Sequence, residues 1–166
     1  MLPPKLILSP IDFSDSSHAA LDVAADFATR FGAELLLVHV MPAIPDLPET
    51  VSILKEGEYD QSLRHAAAKR LADLAGTLAQ KNVKARTEMG TANDVGMELV
   101  RIAEHEHADM IIIATHGMTG WRKIAFGSVA EKVVKQASCP VLVLRASVMA
   151  DAGGQKQAAS SAAASD

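Results

Sequence analysis

Short apolar blocks alternate along the chain with longer segments in which apolar residues recur at helical spacing. The clearest blocks lie at 6–8, 35–40, 110–114 and 141–144, and a weaker, alternating block lies at 83–89. Continuous apolar runs of this length, rich in branched side chains, are typical of strands that are buried on both faces of a sheet. The pattern therefore predicts five strands.

Helical periodicity fills the gaps between these strands and predicts helices at 15–31, 58–81, 92–106 and 128–138. Ser14 and Ser16 offer N-caps to the first helix, and Gly32 is expected to end it. Strands that alternate with helices of this length predict an α/β fold. We expect an open, twisted, five-stranded parallel sheet with helices on both faces.

Two segments fall outside this alternation. Residues 42–57 contain three prolines and a glycine, and we expect a surface loop there. Residues 146–166 contain eight Ala and four Ser, with no large apolar residue after Met149, and this composition predicts a disordered tail. The remaining stretch, 1–145, has the length of a single domain.

Composition narrows the classes of function. A net charge of −4 and an aromatic content of 4% are untypical of a protein that binds nucleic acid. No apolar run approaches the roughly 20 residues of a membrane span. The single cysteine cannot form an internal disulfide, which fits a reducing compartment. We therefore expect a cytoplasmic protein without nucleic-acid or membrane partners.

Candidate chemistry lies where the predicted strands end, because open parallel sheets bind ligands at the carboxyl ends of their strands. Asp12 follows the first strand, where its carboxylate has two interpretations. It either accepts a hydrogen bond from a ribose or a base, or it caps the next helix. The sequence leaves both open.

A glycine-containing loop follows the fourth strand, and Gly127-Ser128 then opens the last predicted helix. Glycines admit a ligand close to the backbone, and a helix start supplies amide donors and a favourable dipole for a phosphate. The alternative is a flexible loop followed by a serine N-cap. Neither the P-loop pattern nor the dinucleotide fingerprint occurs in the chain.

The spacing Ala114-x2-Gly117-x9-Gly127-Ser128 resembles the nucleotide motif of the universal stress protein family. The segments Pro10-Ile11-Asp12-Phe13-Ser14 and Cys139-Pro140-Val141-Leu142-Val143 are also similar to that family, and the resemblance covers residues 4–145. It implies a Rossmann-like fold of the adenine nucleotide alpha hydrolase type. It also implies a stress-response role for a protein of the ATP-binding branch, with Mg²⁺ held mainly by the phosphates.

The resemblance also implies which residues form the adenine-nucleotide site. Asp12 and Val40, with Pro10 and Ile11 beside them, would contact the adenosine. The ribose and α-phosphate would lie against Ala114, Thr115, His116 and Gly117, and the other phosphates against Gly127, Ser128 and Val129. One position departs from the motif, because Ala114 replaces its first glycine. An alanine there costs about 1 kcal/mol if the backbone needs a positive φ, and otherwise its methyl only narrows the pocket.

No residue stands out as catalytic or as a metal ligand. His105 and His107 lie at the end of a predicted helix, and their i, i+2 spacing would point the two rings apart on a helix. We therefore expect a regulatory nucleotide-binding protein rather than an efficient enzyme. Slow ATP hydrolysis, autophosphorylation and a nucleotide-free interaction module are the alternatives. The strand at 141–144 is expected to lie at an edge of the sheet and to form a homodimer, as the family resemblance also implies.

Overall fold

The computed structural model describes residues 3–43, 56–115 and 127–145, with the side chains of 56–60 excepted. Nine elements alternate along the chain in the order β1(Leu6–Pro10), α1(Asp15–Phe31), β2(Glu34–Pro42), α2(Glu56–Gln80), β3(Ala85–Ala92), α3(Val95–His105), β4(Met110–Ala114), α4(Ser128–Gln136) and β5(Val141–Leu144). The predicted alternation of strands and helices is confirmed.

All neighbouring strands pair in parallel, and the sheet has the order β3-β2-β1-β4-β5. After β1 the chain adds β2 on one side of that strand, and it later adds β4 on the other side of β1. Since the direction of winding reverses between β1 and β4, the crevice for a ligand in such a sheet lies at the carboxyl ends of these two strands.

Two apolar layers cover the sheet. In one layer, α1 and α2 pack on alternate residues of the strands, so that Leu21 of α1 and Leu71 of α2 lie in one cluster with Leu37 of β2. The other packs α3 and α4 on the intervening residues, among them Val38. Each fully buried Leu or Ile contributes about 1.5–3 kcal/mol, so these layers dominate the stability of the domain. The α/β fold expected from the sequence, with helices on both faces, is therefore confirmed.

The ends of α1 follow the predicted sequence signals. The Ser14 side chain accepts a hydrogen bond from the backbone N–H of Ser17 and caps the first turn. At the other end, Gly32 adopts a left-handed conformation with φ 67°, and its N–H bonds to the Ala28 carbonyl. Only glycine enters this region at no steric cost, which is why the helix ends there.

Several predicted boundaries are wrong by a few residues. The weak strand predicted at 83–89 runs from Ala85 to Ala92, because its backbone pairs with β2 over this whole length. The predicted start of α3 at 92 is too early, since Asp94 is its N-cap.

The loop predicted at 42–57 is too long at both ends. Pro42 completes β2, and α2 begins at Glu56. The rest of that segment and the tail predicted at 146–166 lie outside the described residues. Within the described residues, none of the helices is long and apolar enough to cross a membrane.

Candidate functional site

A cavity of about 320 Å³ opens at the carboxyl ends of β1 and β4, between the first turns of α3 and α4. Nine residues proposed from the sequence line it: Pro10, Ile11, Asp12, Val40, Ala114, Thr115, Gly127, Ser128 and Val129. His116 and Gly117, the other two proposed residues, lie outside the described part of the chain. The topology thus brings together segments that are more than a hundred residues apart.

Six further residues line the same cavity: Ser17, Val38, Val95, Leu99, Ile113 and Ala130. Val38 precedes Val40 by two residues in β2, so the period of a strand places it on the same face. Val95 and Leu99 are four residues apart in α3 and share a face of that helix. Strand and helix periodicity would have pointed to these positions, given the packing of α3 against the sheet.

The Asp12 carboxylate belongs to a tight turn at the cavity. Its Oδ1 accepts hydrogen bonds from the backbone N–H of Ser14, at 3.0 Å, and from the Ser14 hydroxyl, at 2.5 Å. Ser14, rather than Asp12, is the N-cap of α1, so the alternative of Asp12 as a helix cap is wrong. Asp12 instead orients the capping serine, and it also lines the cavity.

The backbone of this turn is held from β2. The Ile11 N–H donates to the Val38 carbonyl at 2.8 Å, and the His39 Nδ1 donates to the Ile11 carbonyl at 2.6 Å. Phe13 follows with a φ of 63°, which is unusual for a residue other than glycine. The Phe13 ring centroid lies 4.7 Å from that of His39 and 3.9 Å from the guanidinium carbon of Arg70.

The first turn of α4 presents amide donors to the cavity. Gly127 is the N-cap, with φ −72° and ψ 153°, and its carbonyl accepts from the Glu131 N–H at 2.9 Å. The amides of Ser128, Val129 and Ala130 precede that bond, so the helix offers them no acceptor. The alternative of Ser128 as the N-cap is wrong, because Ser128 is the first helical residue. The helix start therefore combines amide donors that have no acceptor within the helix with the positive end of the helix dipole.

Ala114, which departs from the family motif, causes no backbone strain. Among the described residues, positive φ angles occur outside glycine only at Phe13, Asn82 and His107. Ala114 ends β4 in register with Leu144 of β5, and it keeps an extended strand conformation. The cost expected for a left-handed alanine does not arise, and the methyl group only narrows the cavity.

Charged groups next to the cavity are paired. Asp94, the N-cap of α3, bonds through Oδ1 to the Met97 N–H at 3.1 Å and through Oδ2 to the Lys132 ammonium. The bond to Lys132, followed by the one to Met97, lowers the pKa of Asp94 below its usual value. The Asp94 carboxylate is therefore ionised at neutral pH.

No metal centre is found in the described ranges, where no cluster of three His, Cys, Asp or Glu side chains is placed to hold an ion. His105 bonds to the Glu106 carboxylate at 2.9 Å. Cys139 is half-buried, and this burial raises the pKa of its thiol, which favours the unreactive protonated form.

Comparison with known proteins bears on this site. The sequence profile of the Universal stress protein family matches residues 4–145. Universal stress protein MJ0531 of Methanocaldococcus jannaschii is 35% identical over 144 residues, which cover 85% of this chain and 82% of the relative. The solved structure of MJ0577 from the same organism has a TM-score of 0.74 and 30% identity, covering 87% of this chain and 97% of that one.

A more distant structure, the universal stress protein from Archaeoglobus fulgidus in complex with dAMP, has a TM-score of 0.59 and 20% identity. It covers 86% of this chain and 97% of its own, and at this identity it supports the fold alone. That protein holds an adenine nucleotide on the same α/β fold.

Proposed function

The chain belongs to the universal stress protein family, and we propose that it binds ATP in the cavity at the carboxyl ends of β1 and β4. The observation that carries this proposal is the convergence of the first turn of α4 and the Asp12 carboxylate on one cavity. Amide donors at a helix start suit phosphate oxygens, and a carboxylate suits a ribose hydroxyl or the amino group of adenine.

The size and lining of the cavity support a nucleotide. Pockets for small molecules span about 300–1,000 Å³ and are mostly apolar with a few polar groups, and the cavity of about 320 Å³ falls at the lower end. Valine, leucine and isoleucine side chains form much of its wall, which suits a flat base. The universal stress protein from Archaeoglobus fulgidus was solved in complex with dAMP, so a protein with this fold can hold an adenine nucleotide.

ATP would act on this protein as a regulatory ligand. The Oδ1 atom of the Asp12 carboxylate is engaged with the cap of α1, whereas efficient phosphoryl transfer needs a group that positions the nucleophile. Mg²⁺ would be held mainly by the phosphates, so that its removal weakens ATP binding without unfolding the protein. This role is that of a stress-response protein whose state follows the nucleotide it holds.

Calorimetric titration of ATP and adenosine tests the site through Gly127→Val. Gly127 has backbone angles that valine adopts readily, so the substitution should spare the fold and block the approach of phosphate. We expect an affinity for ATP at least about tenfold lower, equivalent to roughly 1.4 kcal/mol, and a smaller loss for adenosine.

Two companion variants assign the rest of the site. Ser128→Ala should cost less than Gly127→Val, because the amide donors remain. Asp12→Ala should weaken ATP and adenosine alike, since its contact is with the nucleoside. Wild-type protein that fails to bind at millimolar ATP, or a Gly127→Val variant that binds like wild type, would show that this site is wrongly assigned.

We also propose that two copies of the chain form a homodimer through Val141–Leu144. β5 is the last strand of the sheet and pairs with β4 along one edge. The four side chains of β5 are all half-buried, so the edge that faces away from β4 carries a partly exposed apolar surface. Strand edges of this kind favour pairing with a second strand.

A further inference from the structure

The helices α3 and α4 touch next to the cavity, at a point where α3 contributes no side chain of its own. A Cβ atom added to Gly96 of α3 would lie 2.9 Å from the Cβ of Lys132 in α4. Real Cβ atoms do not approach a neighbour so closely, so glycine is required for this spacing. The stem of Lys132 thus lies directly on the backbone of α3.

An ion pair closes the same contact. The Lys132 ammonium reaches across to Oδ2 of Asp94, while Oδ1 of that carboxylate caps α3 through the Met97 N–H. One carboxylate therefore fixes both the first turn of α3 and the position of α4. The side chains of the pair are 43% and 45% exposed, so solvent weakens the attraction without abolishing it.

This contact lies within one helical turn of the cavity wall. Val95, which follows Asp94, lines the cavity from α3. Val129, three residues before Lys132, lines it from α4. The distance across the cavity between these two helix starts is accordingly set by the contact that Gly96, Asp94 and Lys132 make.

We propose that Asp94 and Lys132 are positioning residues that hold the first turn of α4 where its amides can bind the phosphates of the nucleotide. This inference rests on the proposed binding of ATP at that turn. Lys132 acts through Asp94, to whose carboxylate its ammonium is bonded. Adenosine has no phosphate to place, so its affinity depends on the pair less than the affinity for ATP does.

Three variants isolate the link between the two helices. Lys132→Met keeps the stem that lies on Gly96 and removes the charge. Asp94→Asn keeps an N-cap for α3, because asparagine caps as well as aspartate does. The double variant combines them. Lys135→Met is the matched control, because Lys135 bonds at 2.7 Å to Glu131 of its own helix and removing it leaves α3 untouched.

We expect each single variant to lower the affinity for ATP by about three- to fivefold, which is the range expected for the loss of a partly exposed ion pair. The affinity for adenosine should change by less than about twofold. The double variant should bind ATP no more weakly than either single variant, because both substitutions break the same link between the two helices. Asp94→Asn is the decisive variant. It removes a negative charge near the phosphates, so an effect of long-range charge alone would raise the affinity for ATP. The affinity would also rise if Lys132 bound phosphate directly, because the ammonium would no longer be held by the Asp94 carboxylate.

Hydrogen exchange in the nucleotide-free protein supplies a second readout. Lys132→Met and Asp94→Asn should speed the exchange of the Gly127 and Glu131 amides, which bond to Thr115 and Gly127 carbonyls, and Lys135→Met should not. The positioning role is overturned if Asp94→Asn binds ATP as tightly as wild type or more tightly, or if exchange is unchanged. Wild-type protein that binds no ATP would refute the proposed function, and exchange alone would then decide whether the pair holds α4 in place.

Discussion

Phe13 shows how side chains can hold a residue in a backbone conformation that it disfavours. A left-handed conformation costs a residue with a Cβ about 1–2 kcal/mol, and Phe13 adopts it directly after Asp12. Its ring contacts His39, and the Arg70 guanidinium lies 3.9 Å from the ring centroid. A cation over an aromatic ring contributes about 0.5–1 kcal/mol at an exposed site, so these contacts offset much of the strain.

The strain can be measured with two substitutions that remove the same ring. Phe13→Gly should be more stable than Phe13→Ala by about 1 kcal/mol, because alanine keeps the Cβ that disfavours a positive φ and glycine does not. Both variants should be less stable than wild type, since both lose the contacts with His39 and Arg70. Urea unfolding monitored by circular dichroism measures the order.

The exposed helical residue Asp22 of α1 provides the control for this order. There Asp22→Ala should be more stable than Asp22→Gly by about 1 kcal/mol, the usual preference of a helix. An alanine variant at position 13 that is as stable as the glycine variant would contradict the left-handed conformation.

Single residues differ in how far the sequence predicts them. The left-handed end of α1 at Gly32 was predictable, because glycine is the usual signal for that conformation. The same conformation at Phe13 was not predictable, since it depends on partners in β2 and α2 that are distant along the chain. The role of Asp12 falls between these cases. Its place at the strand end was predictable, whereas its bonds to Ser14 depend on the turn.

At the scale of elements, the close packing of α3 on α4 depends on Gly96. Gly96→Ala would force its methyl to within 2.9 Å of the Lys132 Cβ, and overpacking of this kind costs about 1–3 kcal/mol. Alanine gains about 1 kcal/mol of helix propensity over glycine, which offsets only part of that cost. We expect a net loss of stability in urea unfolding, and a weaker affinity for ATP as α4 is displaced.

Gly76 of α2 is the matched control, because a Cβ added there meets nothing within 4 Å. Gly76→Ala should therefore raise the free energy of unfolding by about 0.5–1 kcal/mol, with ATP binding unchanged. The two substitutions are therefore expected to change the free energy of unfolding in opposite directions. A stabilising Gly96→Ala would show that α3 and α4 are not in such close contact.

Elements with a strong apolar pattern were predicted well, and those fixed by backbone pairing less so. β1, β2 and β4 are buried on both faces, so their apolar runs identify them. β3 is an edge strand with few buried side chains, and its bounds follow from its pairing with β2, which the sequence does not display. The predicted start of α4 at Ser128 is confirmed, and only the alternative of Ser128 as its N-cap is wrong, because the extended residue Gly127 caps through its carbonyl alone.

At the scale of the whole molecule, the position of the candidate cavity was predictable because topology determines it. Once the strands are parallel and β1 lies between β2 and β4, the segments after β1 and β4 must meet at one edge. The contribution of α3 was not predictable in the same way, since Val95 and Leu99 reach the cavity only through the packing of that helix against α4 and the sheet. The walls of the site therefore come from tertiary packing, and its polar groups from chain order.

The proposed homodimer uses the edge of β5 that faces away from β4, which no strand of the described residues covers, and the register of the sheet shows which backbone groups point outward there. The Pro140 carbonyl accepts from the N–H of Ile111 in β4, and the Leu144 carbonyl accepts from the N–H of Thr115, which directly follows β4. Backbone groups of alternate residues point to opposite sides of a strand, so Val141 and Val143 direct theirs away from β4. A twofold axis would set two such edges against each other as antiparallel strands, which buries the same surface of both copies.

Two substitutions at β5 test this dimer by sedimentation velocity. Replacing Leu142 and Leu144 together by lysine should give monomers, because charges on both residues oppose close approach of the strands. These leucines also pack partly on the core, so a second variant is needed. Val143→Pro removes an outward-facing N–H and leaves the bonds to β4, and proline is tolerated on edge strands. Monomers of Val143→Pro that keep the circular dichroism of the wild type and unfold cooperatively would confirm the interface, whereas a folded dimer would place the contact between copies elsewhere on the molecule.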